Sequence, residues 1–251
     1  MTTATRATAA TRLAAVAGGL TAAAMIATPL CARGGRARRV LSTVVVAGSF
    51  TTTLANTADR WGWRRAGGAA AATTIATTAV ERVGSTTGWP FGRYRYTGRL
   101  RPTIGGVPAI VPMAWFALGV PAREVASAVT QQPAGRVTVG AAALTAWDAF
   151  LDPQMVGEGY WQWQRVGRYR GIPASNYVGW LATSAALMTL FEALLPVRHR
   201  PSAPLVGEYT FMAVMETLGF AAFFRDRAVA AVGGAAMLPF AAAAVGKLTR
   251  D

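Results

Sequence analysis

The feature that most constrains this sequence is a series of long apolar runs, rich in Ala, Val, Leu and Thr, separated by short clusters of arginine. Charged residues make up 14% of the 251 residues, compared with roughly 25% in a soluble domain. A helix satisfies its own backbone hydrogen bonds, so apolar runs of this length are suited to crossing a bilayer. The pattern predicts an all-α, polytopic bundle of transmembrane helices.

Eight runs are predicted to span the membrane, or seven if one of the short third and fourth runs does not cross. Their approximate bounds are 13–30, 40–58, 68–83, 107–120, 137–151, 177–195, 208–224 and 228–245. Residues 1–12 are predicted to be disordered, and residues 13–251 to form a single transmembrane domain. The alternative for the first run is a signal peptide, although Leu30-Cys31-Ala32 is a poor cleavage site.

The formal net charge is +14 and is carried almost entirely by arginine. These arginines flank the apolar runs, where they would contact anionic lipid headgroups. We therefore expect membrane lipid as a partner, no nucleic-acid partner, and an integral protein of the cell membrane. The single Cys31 excludes an internal disulfide and a cysteine metal cluster, and the single His199 excludes a histidine-rich metal site.

Two polar loops, 84–106 and 153–174, contain most of the distinctive residues. Two predicted spans separate them, so both should emerge on the same side of the membrane. This side has slightly more Lys and Arg than the other, which favours a cytoplasmic location. Glu81, Asp148 and Asp152 all lie near helix ends that face this side.

Asp148 and Asp152 are four residues apart and so share one face of the fifth helix, which Pro153 is expected to end. Intramembrane carboxyl groups are costly and suggest function. One interpretation is ion pairing with an arginine of the following loop, at 165, 168 or 170. Another is a proton donor, because burial favours the uncharged carboxyl group. Magnesium binding would require a second aspartate cluster, which the sequence lacks.

Other acidic and aromatic residues have alternative interpretations. Glu81 is either neutralised by the adjacent Arg82 or catalytic. The location of Glu216 in the middle of a span favours a structural polar contact over a catalytic role. The aromatic residues form either an interfacial belt or a pocket for a long apolar ligand, in which ring faces would stabilise a carbocation. They are Trp89, Phe91, Tyr94, Tyr96, Tyr160, Trp161, Trp163 and Tyr169.

Several short motifs follow one another over roughly residues 75–225. They are Glu81-Arg82-Val83-Gly84, Thr87-Gly88-Trp89-Pro90-Phe91-Gly92 with Tyr94 and Tyr96, Gly106-Val107-Pro108 with Pro112 and Trp115, Asp148, Asp152-Pro153, Gly159-Tyr160-Trp161-Gln162-Trp163, Gly171-Ile172-Pro173, Asn176 and Gly179-Trp180. In their order and spacing these motifs resemble a membrane family of carotenoid biosynthesis that contains bisanhydrobacterioruberin hydratases and related carotenoid 1,2-hydratases.

The resemblance implies addition of water to the terminal C1–C2 double bond of an acyclic carotenoid, which gives a tertiary alcohol. No redox change occurs, so no cofactor is expected, and other enzymes of carotenoid biosynthesis are possible partners. The alternatives are a carotenoid end-group cyclase, a Mg²⁺-dependent prenyltransferase-like enzyme and a non-catalytic carotenoid-binding membrane protein.

Under the hydratase hypothesis, Asp148 or Asp152 protonates the alkene and Glu81 orients the water or balances charge. Substrate contacts are predicted for seven further residues, of which the tyrosines and the asparagine also support the site by hydrogen bonding. They are Tyr94, Tyr96, Trp89, Phe91, Trp161, Trp163 and Asn176.

Overall fold

The computed structural model describes residues 8–250. This part of the chain forms eight α-helices, which confirms the predicted all-α bundle. They are α1 (Ala9–Ala27), α2 (Arg36–Trp61), α3 (Trp63–Thr87), α4 (Ile110–Val129), α5 (Pro133–Gly157), α6 (Ala174–Leu194), α7 (Ala203–Leu218) and α8 (Arg227–Leu248). A 3₁₀ turn, Thr28–Leu30, follows α1, and a π-helical segment, Gly219–Phe223, extends α7.

Several predicted helix ends are wrong. Helix α1 begins at Ala9, so residues 9–12 are helical rather than disordered, while residues 1–7 lie outside the described part of the chain. Pro121 and Pro153 lie inside α4 and α5, which continue to Val129 and Gly157. Each proline removes only one backbone hydrogen bond. A helix that is packed against other helices tolerates this loss better than an exposed helix does.

Four helical segments are long and apolar enough to cross a membrane by length and composition, and the chain is an integral membrane protein. They are Ala9–Leu30, Arg36–Trp61, Ala174–Leu194 and Arg227–Leu248. That all eight helices cross remains a prediction.

Helix α4 forms the centre of the bundle, where it packs against α2, α3, α5, α7 and α8. Almost every side chain from Ala114 to Ala128 is buried, including Arg123 and Glu124. Because other helices cover α4, its charged groups do not face lipid.

A cluster of buried charged groups joins the helices at the end of the bundle away from the two polar loops. Arg123 forms salt bridges with Glu124 at 2.8 Å and with Glu192 at 3.2 Å. Arg136 of α5 also pairs with Glu192, and Arg60 of α2 lies 3.3 Å from Glu124. The cluster therefore ties α2, α4, α5 and α6 together.

The two polar loops meet, which confirms that they lie on the same side. Strand β1 (Tyr94–Tyr96) pairs antiparallel with strand β4 (Trp161–Trp163), with Tyr94 opposite Trp163 and Tyr96 opposite Trp161. Two shorter strands, β2 (Thr103–Ile104) and β3 (Val107–Pro108), form a hairpin between them along the chain. Residues 107 and 108 thus precede α4 instead of beginning the fourth span.

Candidate functional site

A mostly apolar cavity of about 240 Å³ lies beside the β1–β4 ribbon and extends between the helices. Its wall combines aromatic and aliphatic side chains with a few carboxyl groups. The carboxyl-bearing residues in the wall are Glu81, Asp152 and Glu216. The aromatic ones are Phe91, Tyr94, Tyr96, Trp115, Trp147, Tyr160, Trp161, Trp163, Trp180, Phe223 and Phe224.

Asp148 and Asp152 are joined by an asparagine from the next helix. Asn176, in the first turn of α6, donates from Nδ2 to Oδ2 of both aspartates, at 2.6 Å each. The second oxygen of Asp152, Oδ1, accepts from Trp161 Nε1 at 2.9 Å. Both aspartates are buried, 0% and 2% exposed, and Asp152 and Asn176 line the cavity, whereas Asp148 lies behind them.

No arginine of residues 8–250 neutralises the aspartate pair. Within residues 8–250 neither aspartate forms a salt bridge, so the alternative of pairing with loop arginines is wrong, and Arg170 pairs with Asp226 instead. Two carboxyl groups this close repel each other when both are ionised, so the pair is suited to holding one proton. The described residues also contain no group of three or more His, Cys, Asp or Glu side chains arranged to hold a metal ion.

Glu81, on α3, is surrounded by hydrogen-bond donors. Its Oε2 accepts from the hydroxyl groups of Tyr94 and Tyr96, the latter at 2.7 Å, and its Oε1 accepts from Trp115 Nε1 at 3.1 Å. It forms no salt bridge with Arg82 or any other residue in the described part of the chain, so the local-neutralisation interpretation is wrong. A carboxylate only accepts hydrogen bonds, whereas a carboxylic acid also donates one. Because Glu81 has three donors and no acceptor among the described residues, its contacts fit the carboxylate form.

The two tyrosines are held as donors. Burial, and then the neighbouring Glu81 carboxyl group, raise the pKa of the Tyr94 and Tyr96 phenols above the ordinary value. Both groups therefore keep their protons and continue to donate to Glu81.

The β1–β4 ribbon connects the two carboxyl sites. Tyr96, which donates to Glu81, lies edge-on to Trp161, which donates to Asp152, with ring centroids 6.1 Å apart. Because the two rings are cross-strand partners, pairing of the loops brings Glu81 and Asp152 to one cavity. Glu81 and Asp152 are 71 positions apart in the sequence, so only the tertiary structure brings them together.

Phe91 and Trp89 have different environments although only one residue separates them. The Phe91 ring is buried between α3 and α6, because Gly84 and Gly179 leave space where a Cβ atom would lie 2.7 Å from the ring. Trp89 is 72% exposed and does not line the cavity, so the structure does not bring it to the predicted site. Trp163 lines the cavity, and its contact with a substrate stays a prediction.

Three tryptophans of the cavity were not assigned to the site from sequence. Trp115 and Trp180 stack with their ring centroids 3.9 Å apart, and Trp147 packs edge-on against Trp180. For Trp115 the signal was position, because it lies in the middle of the predicted run 107–120 instead of at a run end typical of an interfacial belt.

The cavity reaches the outer surface of the bundle between α1 and the end of α7. Its wall there includes Ile26, Leu218 and Phe223, which are all exposed although apolar. The 3₁₀ turn after α1 and the π-helical segment after α7 contact each other beside this opening. An opening with an apolar rim at a lipid-facing surface suits a ligand dissolved in the bilayer.

The fold and the cavity define a class: helical membrane proteins with an aromatic-lined cavity that carries unneutralised carboxyl groups. Residues 34–247 match the family described as carotenoid biosynthesis protein, and the chain belongs to this family. The match is wider than the resemblance noted over residues 75–225.

A relative named bisanhydrobacterioruberin hydratase, from Haloarcula japonica, is 34% identical over 134 residues. The aligned region covers 51% of this chain and 45% of the relative, so the chain spans about half the length of that protein. No solved structure matches the chain.

Proposed function

We propose that this protein is a carotenoid hydratase that adds water to the terminal C1–C2 double bond of an acyclic carotenoid. The family and the name of the relative support this substrate class. The observation that carries the proposal is the Asp148–Asn176–Asp152 arrangement, which pairs with no cationic side chain of the described residues and presents Asp152 to a cavity shared with Glu81.

In the first step Asp152 is the acid, because it lines the cavity and Asp148 does not. The π electrons of the terminal double bond take the carboxyl proton at C2, which leaves a tertiary carbocation at C1 and an Asp152 carboxylate. Asp148 is a positioning residue that fixes Asn176 and, through it, the acid.

In the second step a water molecule attacks C1. Its oxygen forms the new C–O bond, and Glu81 accepts the released proton, which returns to Asp152 through water to complete the cycle. The faces of Trp161, Tyr96 and Trp115 stabilise the cation while it exists, and preorganised dipoles in an apolar site are more effective than solvent. The net reaction is alkene plus water to tertiary alcohol, with no electron donor or acceptor.

The cavity is large enough for an end group, and the rest of the polyene would extend through the apolar opening into lipid. We further propose that the protein lies in the cell membrane with the two polar loops in the cytoplasm. Other enzymes of carotenoid biosynthesis would supply the acyclic chain.

The proposal is tested by expressing the protein in a lycopene-making host and measuring the mass of the extracted pigment. We expect a gain of one water per hydrated end. Asp152→Asn should reduce the alcohol by at least tenfold, since a positioned general acid contributes about 10²–10⁴-fold. Asp148→Asn should also reduce it, but by less, because Asp148 acts only through Asn176. Asp59→Asn is the matched control, because this exposed aspartate lies at the far end of α2.

The same experiment separates the alternatives. Full alcohol yield from both aspartate variants at equal protein level would refute the acid assignment. A product of unchanged mass but altered mobility would indicate a cyclase, loss of activity with a chelator would indicate the Mg²⁺-dependent enzyme, and bound but unmodified pigment would indicate a carrier.

A further inference from the structure

A second cavity, of about 180 Å³, lies where the α1–α2, α5–α6 and α7–α8 connections meet, on the same side as the two polar loops. Three arginines, Arg33, Arg38 and Arg170, contribute to its wall, together with the acidic residues Glu158 and Asp226. Three guanidinium groups and two carboxylates leave one formal positive charge in excess. The balance of charge in this cavity therefore favours an anion.

Both carboxylates of the second cavity already pair with an arginine. Glu158 Oε1 lies 2.8 Å from Arg38 Nη2, and its Oε2 accepts from the amide of Gly34 at 3.4 Å. Asp226 caps the N-terminus of α8 and pairs with Arg170. The acidic residues thus hold two of the arginines in place, and the third arginine supplies the excess charge.

The arginines keep donors that no described residue uses. Arg38 is 3% exposed and donates from Nη1 to the carbonyl of Cys31 at 3.0 Å, but its buried Nε has no acceptor within residues 8–250. Arg33 is exposed and makes no hydrogen bond or salt bridge in the same part of the chain. The forked donors of guanidinium groups match the oxygen atoms of a phosphate group.

The backbone around the second cavity is unusual at two positions. Arg170 has a φ of 49° and Arg225 a φ of 55°, and no other non-glycine residue from 8 to 250 has a positive φ. Arg170 lines the cavity, and Arg225 precedes Asp226, which also lines it. Such conformations are uncommon outside glycine and tend to occur at binding sites.

The wall also has an apolar part, formed by Phe220 and Phe224. The guanidinium group of Arg38 lies over the Phe224 ring, 5.0 Å from its centroid, so the cationic and apolar parts adjoin. Phe224 also lines the first cavity, near the opening where Leu218 and Phe223 are exposed. A ligand with its phosphate group among the arginines can therefore extend an apolar chain along this surface, as an amphiphile does and free phosphate does not.

We propose that the second cavity binds one anionic phospholipid. Its phosphate group lies among Arg33, Arg38 and Arg170, and an acyl chain covers the apolar surface beside the opening of the first cavity. This site differs from the general attraction of interfacial arginines to headgroups, because it holds a single molecule at defined side chains.

The site is tested by titrating phosphatidylglycerol into the delipidated full chain in detergent and counting bound lipids by native mass spectrometry. We expect one tightly bound lipid per chain. Arg33→Gln should raise its dissociation constant at least tenfold, the effect of losing a hydrogen bond between charged groups. The matched control is Arg36→Gln, which makes the same charge change at an exposed arginine outside the cavity wall and should stay within about twofold of wild type.

Two further ligands separate the phosphate group from the chains. Diacylglycerol, which has the same chains and no phosphate, should bind at least tenfold more weakly than phosphatidylglycerol. Inorganic phosphate at millimolar concentration should not displace the lipid. Displacement by phosphate would instead assign the cavity to a free anion and overturn the proposal.

The proposal would also be overturned if no phosphatidylglycerol is retained, or if diacylglycerol binds equally well. Equal weakening by Arg33→Gln and Arg36→Gln would show a diffuse attraction of charge instead of a site. Because the measurement follows lipid binding and not pigment chemistry, its outcome is independent of whether the protein hydrates a carotenoid.

Discussion

Replacing Glu81 by leucine removes the acceptor that two buried donors, from Tyr94 and Trp115, share with the half-buried Tyr96. Tyr94, Tyr96 and Trp115 would each lose their bond to the carboxyl group. The Tyr94 hydroxyl can turn to the backbone carbonyl of residue 81, which already lies 3.3 Å away, and so keeps a partner. Two donors, Tyr96 and Trp115, remain unpaired.

Each unpaired buried donor costs about 1–3 kcal/mol, so Glu81→Leu should lower the free energy of unfolding by about 2–6 kcal/mol. Glu81→Gln should cost less, about 1–3 kcal/mol, because the amide oxygen can still accept from Trp115. Both variants should lose the proposed hydratase activity, since neither provides a carboxylate to accept the proton of water.

A double-mutant cycle with Tyr96→Phe tests the reasoning by thermal unfolding in detergent. In the wild-type background Tyr96→Phe removes a hydrogen bond to a carboxyl group and costs about 1.5–3 kcal/mol. In the Glu81→Leu background it removes a donor that is already unpaired, so it should be neutral or stabilising. An equal cost of Tyr96→Phe in the two backgrounds would show that Glu81 is not the acceptor of this hydroxyl group.

Three further predictions concern packing, charge and the exposed aromatic residue. Gly179→Ala places a Cβ atom 2.7 Å from the Phe91 ring and should be less stable than Gly207→Ala, which has open space, by about 1–3 kcal/mol in thermal unfolding. Arg123→Met leaves the buried Glu124 and the half-buried Glu192 without this cation and should cost about 3–5 kcal/mol, a prediction contradicted by an unchanged unfolding midpoint. Trp89→Ala should leave the yield of hydrated pigment within about twofold of wild type, because this side chain is outside the cavity; a large loss would place Trp89 in the site.

Helix number and loop placement could be predicted because they depend on local composition and on counting. Each apolar run became a helix, and the alternation of runs correctly brought the loops around Tyr94 and Trp161 to the same side. Helix ends were less predictable. Pro153 was expected to end the fifth helix, and the fourth run was expected to end at about residue 120. Both helices continue, because the surrounding helices stabilise the turns that follow.

Partners of individual side chains could not be predicted. A helix that is apolar on most faces has no amphipathic stripe to indicate which side faces its neighbours, so its rotation about its own axis is undetermined by sequence. Arg82 and the loop arginines were plausible partners for Glu81 and the aspartates by proximity along the chain. The actual partners, Trp115 and Asn176 among them, come from other helices.

The amino-acid sequence alone determined that this chain is a bundle of membrane helices, with Glu81, Asp148 and Asp152 near helix ends on one side, because hydropathy and run length act locally on each segment. Tertiary structure decided which of those carboxyl groups share a cavity and which donors surround them. Antiparallel pairing of Tyr96 with Trp161 places Glu81 and Asp152 at a common cavity. Such contacts depend on the relative rotation and packing of helices distant in sequence, and packing fixes these only when the whole bundle assembles.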